Sequence, residues 1–266
     1  MIPTDSINKL SDTFDSLSRL CSGLTEEQWK LPTQLPGWTV QDNLSHIIGT
    51  ERALYGLPEF EHKASDLSNV KNPIGEMNEH HVDLRRSRTG AEVFAEFQEI
   101  AKMRIEQLRS ADEEYFATAA MTPTGPGTIA DFLHIRILDV WTHEQDMRRT
   151  VGIPGNGSGP AAEHTIDRLI RTIPIVVGKR AGTPEGGAVV ILVTGDVTRV
   201  ITTTIVDGRG QVTHTVPASA LCTITMDSDA FLQLATGRAT HTEISYTIEG
   251  DNELGTKVVS QFNMMI

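Results

Sequence analysis

Up to about residue 177 the apolar positions recur every three or four residues; beyond residue 187 they alternate or cluster into short β-branched runs. The first regime predicts helices. Ile7, Leu10, Phe14, Leu17 and Leu20 form one stripe that ends near Gly23. Thr25 followed three residues later by Gln28 is a capping-box pattern for a short helix, and Pro32, Pro36 and Gly37 force a turn after it. Thr39 is a good N-cap, with Asp42 at the third helical position, for a helix running to about residue 56. Its apolar stripe is Val40, Leu44, Ile47, Ile48 and Leu54, with His46 close by. Residues 58–74 are polar and carry two prolines, so they read as a loop. Helical spacing resumes over 76–87, and again from Ala91 to Leu108. Thr124 to Thr128 reads as a turn, followed by a helix containing Ile129, Phe132, Leu133, Leu138, Val140, Trp141 and Met147. Arg148 and Arg149 suit its C-terminal end. A Gly- and Pro-rich stretch over 152–159 leads to a helix over 162–177 that Pro174 kinks or ends.

The second regime predicts strands. Val189–Val193 is one, and residues 197–206, rich in Thr, Val and Ile, are another. Asp207-Gly208 is a tight-turn pair joining the latter to a strand over 211–216. Strand candidates follow at 221–226 and 244–248. Between them Asp227 or Ser228 caps a helix through Leu234, and a helix over 252–262 closes the chain. On element order the fold class is α+β with two domains: a helical bundle over 1–180 and a small α+β domain over 181–266.

Composition narrows the function. With 39% hydrophobic and 22% charged residues among 266, the chain is of ordinary globular make-up. No apolar run reaches the roughly 18 residues of a membrane span, and the N-terminus has no basic-then-apolar secretion signal. A net charge of −12 disfavours nucleic acid and anionic membranes as partners. The two cysteines, Cys21 and Cys222, are far apart and outside any CxxC spacing, which fits a reduced, cytoplasmic setting and small core residues rather than nucleophiles.

Asp139 and His143 are four apart, so on a helix they project from one side about 40° apart. A carboxylate and an imidazole so placed suit two positions on a divalent metal, and His46 on another helix is a candidate third ligand that leaves a position open. Spacing alone equally fits a surface pair or a helix-end hydrogen bond. His134 is half a turn away from His143; one of His80 and His81, on the middle helix, is a candidate to line the bundle interior behind the ligands or to carry a proton, or else simply packs or faces solvent, and His62, His164, His214 and His241 have no ligand-spaced neighbour. Glu144 points about 100° from His143; Asp146 is placed either to orient that histidine or to pair with Arg148 or Arg149. The stretch Thr124 to Gly127 lacks the lysine of a phosphate loop, and Gly155 to Gly159 is a linker rather than a dinucleotide fingerprint.

Leu35-Pro36-Gly37-Trp38-Thr39-Val40-Gln41-Asp42-Asn43-Leu44-Ser45-His46-Ile47 and the stretch from Arg136 to Arg149 resemble the two signatures of the mycothiol-dependent maleylpyruvate isomerase family. That family falls within the DinB-like metal-binding four-helix bundles. Ser228 to Arg238 resembles its C-terminal domain, which is similar to sterol-carrier-protein modules. The resemblance implies a divalent metal, usually zinc, on His46, Asp139 and His143, with mycothiol as cofactor. The maleylpyruvate isomerase itself carries Glu where this chain has Asp139. The expected partners are a small thiol and an electrophilic, carboxylated substrate reacting in a cleft between the domains, with a homodimer left open. Arg238, and after it Arg85 and Arg86, are candidate clamps for an anionic group. Three functions follow: thiol-dependent isomerase or S-transferase, apolar small-molecule binding protein with a structural or vestigial metal, and metal-dependent hydrolase.

Overall fold

In the computed structural model, which describes residues 1–58 and 61–263, side-chain caps set the helix limits of the first of two units, Met1–Asn156. Its helices are α1 (Thr4–Cys21), α2 (Glu26–Trp29), α3 (Val40–Tyr55), α4 (Pro73–Asp83), α5 (Gly90–Ser110) and α6 (Glu113–Ala117). The strands β1 (Ala119–Thr122) and β2 (Gly125–Thr128) follow, and then α7 (Ile129–Val151). Reciprocal capping boxes start four of these helices: Thr25 with Gln28, Thr39 with Asp42, Thr89 with Glu92, and Thr128 with Asp131. Gly56 and Gly152, both left-handed, close α3 and α7.

α1 packs on α5 and α7, and α3 packs on the same two, which closes a four-helix bundle. Leu10, Leu17, Leu44, Ile48, Phe97 and Ile137 are among its buried residues, and Phe14 meets Phe97 edge-on at 5.7 Å. α4 lies against α3, where a Cβ on Gly49 would stand 2.5 Å from the Cβ of His81.

Three local expectations change. Pro73 starts α4 instead of ending a loop: Asn72 Oδ1 accepts from Gly75 N at 2.8 Å, and proline at the first helical position gives up no hydrogen bond. The helix then stops at Asp83 rather than 87. Residues 124–128 are not simply a turn, because Gly125–Thr128 pairs antiparallel with Ala119–Thr122. Pro126 is tolerated there in a ladder of only two strands, both of them edges. Of the loop expected over 58–74, residues 59–60 lie outside the described residues.

The second unit, Gly157–Ile266, contains α8 (Pro160–Ile170), a π-helical turn (Ile175–Arg180), β3 (Ala188–Thr194), β4 (Arg199–Val206), β5 (Arg209–Thr213), β6 (Cys222–Asp227), α9 (Ser228–Ala235), β7 (Thr247–Gly250) and α10 (Asn252–Ser260). By its contacts α8 belongs with this unit, although the sequence reading grouped it with the bundle up to residue 180. The five strands run β5-β4-β3-β6-β7, with β3 and β6 parallel and the other neighbours antiparallel. Register puts Ile201, Ile191 and Ile224 side by side on one face. Asp207 and Gly208 both have positive φ (52° and 70°), as a tight hairpin turn requires. The expected helix over 162–177 stops at Ile170, ahead of Pro174. The last strand starts at Thr247 rather than 244, because Glu243 Oε2 accepts from Thr240 N at 2.7 Å and holds a turn there. No helix among the described residues is long and apolar enough to cross a membrane.

Candidate metal centre

Helical geometry puts Asp139 and His143 on one side of α7, and α3 lies beside α7 so that His46 faces them. His46 Nε2 is 3.1 Å from Asp139 Oδ2, and His143 Nε2 is 3.5 Å from Asp139 Oδ1. One ligand atom from each of the three residues lies within 4.8 Å of the others. Two donors in tetrahedral positions on zinc stand about 3.3 Å apart, so the separations suit a shared ion. The two imidazoles are largely buried, whereas the Asp139 side chain keeps 23% exposure and is the accessible member.

The second ring nitrogen of His143 is fixed from outside the cluster. Asn43 Nδ2 donates to Thr39 O at 2.9 Å and to Thr33 Oγ1 at 3.2 Å, so its oxygen turns the other way. That oxygen lies 2.7 Å from His143 Nδ1, which makes Nδ1–H the donor. In the neutral ring Nε2, on the Asp139 side, then carries the lone pair a metal needs. His46 Nδ1 is buried with no hydrogen-bond partner. The Trp38 ring lies over both imidazoles, with centroids at 5.3 Å and 5.8 Å. Its Nε1 donates to Glu79 Oε2 at 2.9 Å.

Charges alternate away from Asp139. Arg136 Nη1 donates to Asp139 Oδ2, Arg136 Nε donates to Glu51 Oε1 at 2.7 Å, and Arg104 Nε donates to Glu51 Oε2 at 3.2 Å. Arg104 Nη1 ends the chain on Gln107 Oε1 and Tyr115 Oη. Glu51, Arg104 and Arg136 are all buried. Burial works to raise the Asp139 carboxyl, but the charges of His46, Arg136 and His143 outweigh it and hold the group well below the usual carboxylate range. Burial lowers His46 from its ordinary 6.5, and the attraction of Asp139 offsets this only in part. An ionised carboxylate beside a neutral imidazole is the ligand form for zinc and its neighbours. The donor set and the separations fit a divalent cation.

The other sequence candidates are placed elsewhere. Arg85 is buried and donates through Nε and Nη2 to Glu96 at 2.9 Å and 2.6 Å. Arg86 pairs with Glu79 at 2.6 Å and lies 3.4 Å from Asp42. Both arginines are thus engaged by carboxylates of the bundle itself. Arg238 follows α9 in the second unit, and its Nη1 donates to Thr236 O at 2.9 Å. Asp146 pairs with Arg149 at 2.6 Å and stands 3.5 Å from His143 Nδ1. Glu144 faces away, accepting from Ser16, Arg148 and Asn156. Both cysteines are buried, and burial pushes the Cys222 thiol up to about 11. Sequence reasoning missed Asn43, Glu51, Arg104 and Arg136 as parts of this site. Three of them precede or follow a ligand by three to five positions on its own helix, which is the one local signal they give.

Comparison with known proteins adds two family matches. The mycothiol maleylpyruvate isomerase N-terminal domain matches residues 10–148, and the SCP-2 sterol transfer family matches residues 185–263. Two uncharacterised proteins of Mycobacterium tuberculosis, from strains CDC 1551 / Oshkosh and ATCC 25618 / H37Rv, are each 23% identical over 141 residues. Those residues are 52% of this chain, and the match spans only about half the length of each relative, 53%. Among solved structures, a mycothiol-dependent maleylpyruvate isomerase aligns with TM-score 0.58 at 15% identity, covering 89% of both chains. A histidine-to-alanine variant of that enzyme aligns with the same score and coverage at 16% identity. At such identity the likeness shows the fold.

Proposed function

The chain belongs to the mycothiol maleylpyruvate isomerase family through its N-terminal domain, and from that premise we propose that it is a cytoplasmic, metal- and thiol-dependent enzyme acting on a small electrophilic substrate. The observation that carries the reading is the meeting of His46, Asp139 and His143 from two helices, with ligand atoms within 4.8 Å. These residues would hold a divalent cation, zinc by donor chemistry, and the bound cation would make a thiol acidic enough to react as thiolate near neutral pH. Mycothiol is the thiol named by the matched family.

The chain's own groups set the conditions for that chemistry. Asn43 holds the His143 ring in one tautomer, Arg136 keeps Asp139 ionised and oriented, and Trp38 covers the imidazoles on one side. A thiolate so held would supply a nucleophile for reversible addition to an electron-poor C=C, which permits cis–trans isomerisation, or for S-transfer where the adduct is kept.

A test is elemental analysis of the purified protein together with mycothiol binding, before and after chelation. About one zinc per chain, thiol binding that chelation abolishes, and no thiol-dependent turnover in His143→Ala are expected. Full thiol-dependent activity in metal-stripped protein overturns the reading, and turnover without thiol favours a hydrolase. The SCP-2 match favours a second reading, an apolar ligand held by the second unit. A groove of about 750 Å³ there is lined by Ile170, Pro174, Val200 and Val212 together with the polar Asp167, Arg171, Thr198, Arg199 and His214. Lipid that co-purifies with the chain in the absence of any thiol-dependent turnover would select it.

A further inference from the structure

Arg136 has a donor that its partners do not use. Its Nε goes to Glu51 and its Nη1 to Asp139, while Nη2 is buried with no hydrogen-bond partner. In a planar guanidinium Nη2 is joined to the same carbon as both bonded nitrogens, so it lies in the plane they share with the site. A buried charged donor left unmet is costly, so an acceptor arriving beside it is favoured.

The charge count points the same way. Asp139, Arg136, Glu51 and Arg104 alternate in sign along one buried path and sum to zero. Arg136 therefore cancels the one carboxylate that the ligand cluster contributes. A cation held by His46, Asp139 and His143 keeps its full charge in such surroundings and seeks neutralisation from whatever binds next to it. A site with an uncancelled Asp139 would show less preference for an anion over a neutral donor.

We infer that Arg136 is a specificity-determining residue: it makes the centre select an anionic ligand, a thiolate or a carboxylate, and its Nη2 donates to that ligand. The inference rests on the metal-centre reading above and adds the charge class of the ligand.

The experiment uses the full chain loaded with cobalt(II), and the visible spectrum follows titration with acetate, 2-mercaptoethanol or imidazole. Cobalt affinity is measured separately by chelator competition. In Arg136→Gln the affinity for acetate and for the thiol falls about tenfold or more, the scale of a hydrogen bond to a charged group, while imidazole binds as before. Arg136→Lys keeps the charge and loses Nη2, so its anion affinity falls between the two. Loss confined to acetate or to the thiol identifies which anion Arg136 serves. If circular dichroism shows Arg136→Gln unfolded, Arg136→Lys decides alone: weaker acetate with unchanged imidazole supports the inference. An unchanged ratio of anion to imidazole affinity in every folded variant overturns it. Failure of the unaltered chain to take up cobalt is a different result, which removes the metal centre itself and this inference with it.

Discussion

Replacing Asn43 by Leu is a sharp test of how the centre is held. Asn43 is fully buried and supplies the acceptor for His143 Nδ1 at 2.7 Å. Leucine is close in shape and has no acceptor, so the Nδ1–H is left unmet in a buried position, at a cost of about 1–3 kcal/mol. Because 1.4 kcal/mol corresponds to tenfold in a binding constant, metal affinity falls about ten- to hundredfold, the range seen when outer partners of metal-bound histidines are removed. The same change removes the bonds to Thr39 O and Thr33 Oγ1. Metal-free stability therefore drops too, by about 1–2 kcal/mol. Competition with a chromophoric chelator reads the first effect, and thermal unfolding in chelator reads the second. Asn43→Asp keeps an acceptor and retains tight binding. Equal zinc affinity in Asn43→Leu and the parent, both folded, refutes the assigned tautomer and the role of Asn43.

Three further outcomes are expected. Chelated protein loses stability on acidification in two stages: below about 6.5 as His46, depressed by burial, takes up its proton more readily in the unfolded chain, and below about 3.8 as the same holds for Asp139; burial raises Asp42 and Glu144, so these act in the opposite sense and blunt the second stage. Urea unfolding at several pH values measures the profile, and a flat profile between pH 7.5 and 5 contradicts the His46 assignment. Arg85→Met removes one of three arginines on Glu96, leaving Arg88 and Arg52, and destabilises by about 1–3 kcal/mol, with thiol affinity of the folded protein unchanged; a selective loss of thiol binding would instead place Arg85 in the site. Gly49→Ala pushes α4 off α3, since the new methyl lies 2.5 Å from His81 Cβ, and costs about 1–3 kcal/mol in thermal unfolding.

The sequence signals differ in reach. Thr39 with Asp42, and Thr25 with Gln28, are local hydrogen-bond patterns, and the helix starts they mark stand where expected. Thr89 with Glu92 and Thr128 with Asp131 are equally local signals that the apolar spacing overshadowed. The hairpin over 119–128 escaped because Gly125-Pro126-Gly127 carries turn residues, and its pairing depends on Ala119–Thr122 across the turn. Asp139 and His143 share a side by helical arithmetic alone. His46 joins them only through packing of α3 on α7, which no local pattern encodes and which family resemblance supplied. Glu51, Arg104 and Arg136 look like ordinary surface charges in sequence. Their burial follows from mutual neutralisation across three helices, visible only once the bundle is closed. Arg85 and Arg86 were candidates as cations, and the carboxylates that engage them come from other turns of the bundle.

The position of Trp38 has a practical consequence. The other two tryptophans, Trp29 and Trp141, are buried in the bundle. Trp38 faces the imidazoles of both His46 and His143, tilted by 38° and 34°, with its indole N–H anchored on Glu79. Its emission is therefore an intrinsic optical gauge of whatever arrives beside these rings: a paramagnetic ion quenches it, and Trp38→Phe silences the response, so titrations of the unlabelled protein can be followed by fluorescence.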